Sequence, residues 1–413
     1  MRALVVLLAL AASVPALAEP WDLAPVAAFH YQLQDLDVAA ASASPFPVLV
    51  TDYSHDGSAA GELTPAEVAT LRTGNRKVLA YLSIGEAETY RFYWNPAWTD
   101  QGANDPDRPA WLGPVDPAFR DNSKVRYWDP AWQAILFGGP GAYLDRILAQ
   151  GFDGVYLDIV DGYEFWGPDG NDERPTAAAD MQALVEALAG YARATRPGFV
   201  VVPQNGSALV ADPTYLDAIS GQGAEDTWFR GNARQSAAQA GSVVPMLDVV
   251  LAAGKAVLAI DYPSNARRIA DFFDRAEAKG YGAYVGDRAL DAMAIHPGHP
   301  PTPGPAVALV APAAGATASA TVAPEFDWSA IGASGVELHF AGSSDLRTIK
   351  VLPRKRGVLL AGTSYTPTAR EWKPLARLVR QGDRTTLHWW AVAVDASGAR
   401  RSAPVRTLTV AAP

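Results

Sequence analysis

Eight short apolar runs, each bounded by turn residues, recur between residues 29 and 287. They span 29–34, 47–53, 77–86, 154–161, 199–205, 218–225, 255–262 and 282–287. Runs of this length and β-branched content read as strands. Helix-like segments lie between several of them, at 64–73, 130–150, 177–195 and 265–279. In the second of these, Ile135, Leu136, Tyr143, Leu144, Ile147 and Leu148 stand at helical spacing. Thr64-Pro65-Ala66-Glu67 is a capping-box start with proline at the first helical position. After the fifth run, Asp212-Pro213 leaves room for only a short helix. This alternation predicts an α/β fold, a (β/α)8 TIM-type barrel. A doubly wound open sheet is the alternative, but no Gly-rich phosphate loop follows the first strand.

The rest of the chain divides around that unit. Residues 1–18 read as a signal peptide, with Arg2, an apolar core and Ala16-Leu17-Ala18 as a small-residue cleavage site. The apolar run is too short for a membrane span, so an exported, periplasmic or secreted protein is expected. The barrel domain takes 19–293, and 294–305 is a Pro-rich linker. Residues 306–413 alternate in β fashion around Trp328 and Trp389-Trp390, which predicts a small all-β sandwich resembling a fibronectin type III module. The chain has no cysteine, which rules out disulfides and thiolate metal sites. Residues 301–413 carry 13 Lys and Arg against 7 Asp and Glu, leaving the remainder at −16. So acidic a first part argues against nucleic acid as a partner and would attract a cationic or neutral ligand. It could equally serve solubility alone. A monomer is expected.

Carboxylates close most of the predicted strands: Asp52, Glu86, Asp158 with Asp161, Glu225 with Asp226, Asp261, and Asp287. In a barrel these ends converge on one mouth. Crowded acids raise one another's pKa, so a working arrangement pairs an ionised carboxylate with a protonated one. That division of labour is glycoside hydrolysis. Asp158 and Glu225, two strands apart, are the expected catalytic pair. Tyr31, Asp52, Tyr81, Ser83, Glu86, Trp94, Asn205, Asp261 and Tyr262 are the expected substrate-binding residues. A capped or salt-bridged turn carboxylate is the alternative for Asp158, and a solvated loop carboxylate for each supporting acid. The connection 87–129 holds Tyr90, Phe92, Tyr93, Trp94, Trp98, Trp111, Tyr127 and Trp128. A loop this long and aromatic is functional or anchored rather than disordered. Its rings would stack on sugars or pin it to the barrel.

Other chemistries read poorly. No His-x-His or His-Glu-x-x-His pair supports zinc, and no Gly-x-Ser-x-Gly elbow supports an esterase. His30 reads as a packed histidine. Calcium at 100–107 or 169–173 is weaker than a solvated turn. No metal and no cofactor is expected.

Tyr81-Leu82-Ser83-Ile84-Gly85-Glu86, the strand from Gly151 to Asp158, Pro203-Gln204-Asn205 and Glu225 together resemble glycoside hydrolase family 114, over about residues 25–293. These are endo-α-1,4-polygalactosaminidase-type barrels. The resemblance implies Asp158 as nucleophile, Glu225 as acid/base, a retaining mechanism and an amino-sugar exopolysaccharide as partner. The family's first strand usually carries a tryptophan or similar aromatic near its start, where this chain has Phe29-His30-Tyr31-Gln32-Leu33, and the appended sandwich lies outside the family core. Two other readings stay open, a non-catalytic carbohydrate-binding protein and a glycosidase for a different polysaccharide.

Overall fold

The computed structural model describes residues 21, 23, 26–98, 108–301, 305–355, 357–380 and 385–411. The expected signal peptide and the calcium candidate at 100–107 lie outside the described residues. All eight anticipated strands are present: β1 (His30–Tyr31), β2 (Val48–Thr51), β3 (Lys77–Ser83), β4 (Gly154–Asp158), β5 (Val200–Pro203), β6 (Gly221–Glu225), β7 (Ala256–Asp261) and β8 (Gly282–Val285). Every pairing among them is parallel. They form a sheet of order β1-β2-β3-β4-β5 and a sheet of order β8-β7-β6. Single parallel bridges join the two at both seams, Gln204 to Gly223 and Ala28 to Ala283.

Strand residues alternate between two apolar clusters, as a period of two requires. Tyr31, Val48, Val50, Leu79, Tyr81, Tyr156, Val200, Val202, Leu258, Ile260, Tyr262 and Tyr284 form an inner cluster. Leu49, Val78, Ala80, Val155, Leu157, Val201, Val257 and Ala259 face outward into a core shared with the helices. β6 gives the inner cluster almost nothing but glycine. A Cβ on Gly223 would stand 2.2 Å from the Tyr156 hydroxyl, so only glycine lets that ring fill the interior.

Helices Pro65–Leu71, Ala177–Thr195 and Ala266–Lys279 lie where expected, the first with its capping box formed. The single helix expected over 130–150 is instead two, Pro130–Leu136 and Tyr143–Gln150, parted by Gly138-Gly139-Pro140. Proline cannot continue the helix, and paired glycines favour the break. After β5 there is only a short 3-10 turn and the helix Pro213–Ala218. The helix Ala237–Ala252, between β6 and β7, was not anticipated; it contains Pro245. Among the described residues no helix is long and apolar enough to cross a membrane.

Beyond β3 the chain forms a small antiparallel rim sheet from Glu86–Glu88, Asn122–Val125 and Leu112–Val115. The loop's rings mostly anchor it. Trp98, Trp111 and Trp132 stand at centroid distances of 5.2 and 4.8 Å. The Trp132 indole N–H donates to the Ile84 carbonyl at 3.0 Å, tying this stack to the end of β3. Tyr90 is 45% exposed.

The C-terminal region is β-rich, with two sheets sharing one core around Phe326, Trp328, Phe340 and Trp389. The all-β expectation needs one amendment, the helix Ala369–Ala376. Thr368 and Glu371 form its capping box, and Trp372, Leu375 and Ala376 bury one face. This region packs on the helix Ala266–Lys279. Arg400 pairs with Asp274 and Glu337, each at 2.8 Å. The Ser402 N–H donates to Glu277 and the Val405 N–H to the Ala278 carbonyl.

Candidate active site

Strand parity decides which side chains reach the interior at the C-terminal strand ends. Asp158 continues the inward series of Tyr156, and Glu225 that of Gly223. Gln204 continues Val200 and Val202, and Tyr262 continues Leu258 and Ile260.

The Tyr81 hydroxyl donates to Asp158 Oδ2 at 2.6 Å. Burial pushes the Asp158 carboxyl up to about 6; the Tyr81 bond acts against this and the charge of Glu225 adds to it. Burial also raises Glu225. Its Oε1 accepts from the Tyr262 hydroxyl, and its Oε2 accepts from Gln204 Nε2 at 3.2 Å. Arg288 stands 3.7 Å from Glu225, pairs with Asp226 at 2.5 Å and covers the Tyr262 ring at 4.2 Å. Tyr31 donates to Gln204 Oε1 at 3.3 Å. That bond orients the amide so that its NH2 faces Glu225. Asp161 is pushed up to about 7 by burial and by Asp158.

The residue following each of Asp158, Gln204 and Glu225 is left-handed: Ile159 at φ 56°, Asn205 at 61° and Asp226 at 52°. For a β-branched isoleucine this is a strained conformation, costing on the order of 1–3 kcal/mol. Gly85 accommodates it, since a Cβ there would stand 2.2 Å from the Ile159 carbonyl oxygen. Asn205 Oδ1 accepts the Glu225 N–H at 3.1 Å, so this strained turn also holds β6.

Two clefts flank the carboxylates. One, about 350 Å³, is lined by Asp52, Tyr81, Glu88, Tyr90 and Arg91 among others. The other, about 480 Å³, is lined by Asp161, Asn205, Glu225, Asp226, Arg230 and Gln235 among others. Tyr81 carries Asp158 on the first side, and Glu225 opens to the second.

The remaining expected residues sit differently. Asp52 faces inward but is held by Arg91 at 2.8 Å, and burial pushes it up to about 6. The Arg91 side chain is 1% exposed, also pairs with Glu88 at 2.5 Å, and lies 4.8–5.7 Å from the rings of Tyr53, Tyr81, Tyr90 and Tyr143. Glu86 does not reach the opening, being 1% exposed and held in the rim sheet by Lys124 and Asn122. Ser83 is buried and donates to the Glu86 carbonyl. Asp261 has outward parity, is wholly buried, and accepts the N–H groups of Thr227, Trp228 and Phe229 at 2.6–3.0 Å. Trp94 packs edge-on against Trp98 in the loop's ring stack. Gln204, Arg91, Glu88 and Arg288 were not anticipated as site residues. Parity alone identifies Gln204, and the same count excludes Asp261.

Among the described residues no group of three or more His, Asp or Glu side chains is arranged to hold a metal ion.

Residues 10–300 match the family described as glycoside-hydrolase family GH114. The chain is 37% identical over 276 residues to "Uncharacterized protein MJ1477" of Methanocaldococcus jannaschii, covering 64% of this chain and 77% of that protein. It is 40% identical over 257 residues to an uncharacterized protein of Deinococcus radiodurans, covering 61% and 77%. Among solved structures, the glycoside hydrolase domain of PelA from Pseudomonas aeruginosa is 21% identical. That match covers 65% of this chain and 97% of the domain, with a TM-score of 0.46.

Proposed function

The chain belongs to glycoside-hydrolase family GH114, and from that premise we propose that it is an exported retaining glycosidase whose Asp158 and Glu225 cleave an amino-sugar polysaccharide. We read the two parallel sheets as one (β/α)8 barrel, because bridges cross both seams and seven of the eight strands feed one inner cluster. One observation carries the assignment of the pair. Asp158 and Glu225 are inward carboxylates at the ends of β4 and β6, on either side of β5, each held by a phenol and close enough for Glu225 to raise Asp158.

In this mechanism Asp158 attacks the anomeric carbon while Glu225 gives its proton to the leaving oxygen. Water then attacks the glycosyl–Asp158 ester with Glu225 as base. A retaining pair works at a carboxyl separation of about 5–5.5 Å. Tyr81 orients Asp158 and stabilises its ionised form. Tyr262 and Gln204 hold Glu225 against rotation. Asp52, Glu88 and Asp56 beside Arg91 make the first cleft acidic, which suits an ammonium-bearing sugar.

The test is incubation of the protein, D158N and E225Q with a partly deacetylated galactosamine polymer. The proposal expects soluble oligosaccharides from the wild type alone. It also expects slower cleavage when the polymer is fully N-acetylated. Fragments from another polysaccharide only, in a reducing-end panel, would overturn the substrate assignment. Binding without fragments by all three proteins would overturn the catalytic one.

A further inference from the structure

The loop 226–235 follows Glu225 directly, and its Asp226, Arg230 and Gln235 wall the Glu225 cleft. Three anchors hold it. Asp261 accepts the backbone N–H groups of residues 227–229. Arg288 pairs with Asp226. The third anchor comes from the C-terminal region. The buried Trp228 indole N–H donates to the Asp345 carbonyl at 2.8 Å, and Arg234 Nη1 donates to the Arg347 carbonyl at 2.7 Å. One turn of the C-terminal region thus grips the loop at two points, six residues apart.

That turn is itself fixed. Asp345 Oδ1 accepts from the Ser343 hydroxyl and the Arg347 N–H. Leu346 is left-handed at φ 52° and wholly buried, packed with Ala278, Ala341, Trp390 and Val392 across the boundary between the two regions. Lys279 donates to the Ser344 carbonyl at 3.0 Å. On the other side, the Trp228 ring lies parallel to Tyr281 at 6.0 Å and edge-on to Phe272 at 5.9 Å. The indole therefore has one orientation, in which its only polar atom meets the C-terminal carbonyl.

We infer that the C-terminal region is a positioning element for the active site: its turn 343–347 clamps Trp228 and Arg234, and so sets the loop that orients Glu225 and walls its cleft. Trp228 is a positioning residue on this account. The inference rests on Glu225 as the acid/base. A packed clamp costs less disorder at each turnover than a loop that must order itself around the substrate. A tethered spacer would need none of these contacts.

Trp228→Phe keeps an aromatic ring and removes the N–H donor together with the pyrrole half of the indole. Leu346→Ala loosens the turn from a position outside the cleft. Ser402→Ala removes a contact elsewhere on the same boundary, the hydroxyl bond to the Asp274 carbonyl. All are made in the full chain and assayed well below their melting temperatures. Trp228→Phe and Leu346→Ala are expected to lower kcat roughly 5- to 20-fold. They are also expected to move the basic limb of the pH profile, the one set by the groups facing Glu225: Tyr262, Arg288, Asp226, Asp158, Tyr156 and Tyr31. Ser402→Ala is expected to keep wild-type kcat and pH profile. Hydrogen exchange gives a readout free of catalysis, in which Leu346→Ala speeds exchange at the 227–229 amides while Ser402→Ala leaves it unchanged. Wild-type exchange at those amides in Leu346→Ala overturns the clamp whatever the activity. Folded Trp228→Phe and Leu346→Ala proteins with wild-type kcat and pH limb overturn its link to catalysis. Full activity of E225Q overturns the acid/base assignment and leaves the exchange result standing.

Discussion

The two sides of the strand-end rim hold similar numbers of acids with opposite kinds of partner. On the β2–β3 side, Asp52 and Glu88 share the buried Arg91, and Glu86 shares Lys124 with Asp116. On the β4–β6 side, Asp158 and Glu225 are bound chiefly by neutral donors, Tyr81, Tyr262 and Gln204. Their cation, Arg288, has a side chain 51% exposed, and burial raises both acids. A carboxylate paired with a fixed buried cation is committed to that partner, as Asp52 is to Arg91 even though burial pushes its carboxyl up to about 6. One held by phenols and an amide in a desolvated pocket has no fixed buried counter-charge and stays open to a substrate. The difference separates scaffold from chemistry among residues that look alike in the sequence.

Substitution should expose the contrast most strongly at the two proposed catalytic acids. Asp158→Asn is expected to cut kcat by roughly 10⁴-fold. Glu225→Gln should cut it by about 10²–10⁴-fold on substrates with poor leaving groups. Both proteins should stay folded by circular dichroism. On the other side, Arg91→Met strands two buried carboxylates. It should cost about 3–5 kcal/mol of stability, read by denaturant unfolding, because a buried ion pair is missed most when one partner remains. If Arg91→Met kept its stability and lost only turnover, the division drawn here would reverse.

Proton linkage sharpens the comparison. Burial pushes Asp158 up to about 6, and as the proposed nucleophile it must be ionised to attack, so kcat/KM should rise about tenfold per pH unit below that value and level off above it. Tyr81→Phe removes the donor that favours the ionised form, so this limb should move to higher pH. The stability effect has the opposite sign. Asp158 and Asp161 bind protons more tightly folded than unfolded, so their contribution to stability falls as pH rises from about 4 to about 7. Asp158→Asn should therefore raise the melting temperature at pH 7–8 by a few degrees and change it little at pH 4, read by calorimetry.

Most strands were legible because they are short β-branched runs ending at a turn, as parallel strands buried on both faces favour; β1 and β6 hold no β-branched residue. The helix Ala237–Ala252 was not legible. Its Val243, Val244, Val249 and Val250 are poor helix formers, and Pro245 interrupts the run. Packing of Ala240, Val244, Leu247 and Val250 overrides both. Asp158 and Glu225 were legible as acids at strand ends, yet so were Glu86 and Asp261. What distinguishes them is their partners, and those come from far along the chain. Arg91 lies 39 residues from Asp52, and Lys124 lies 38 from Glu86. The count along each strand was available and was the missed signal. It turns Asp261 outward and brings Gln204 in.

The most direct test of the central claim is to trap the first half of the reaction. Glu225→Gln is mixed with an activated galactosaminyl fluoride, whose leaving group needs no acid, and the protein is digested and its peptides weighed. The account predicts a single glycosyl adduct, carried by Asp158 and absent from D158N. An adduct on Asp161 or any other side chain, or the same adduct in D158N, would contradict it.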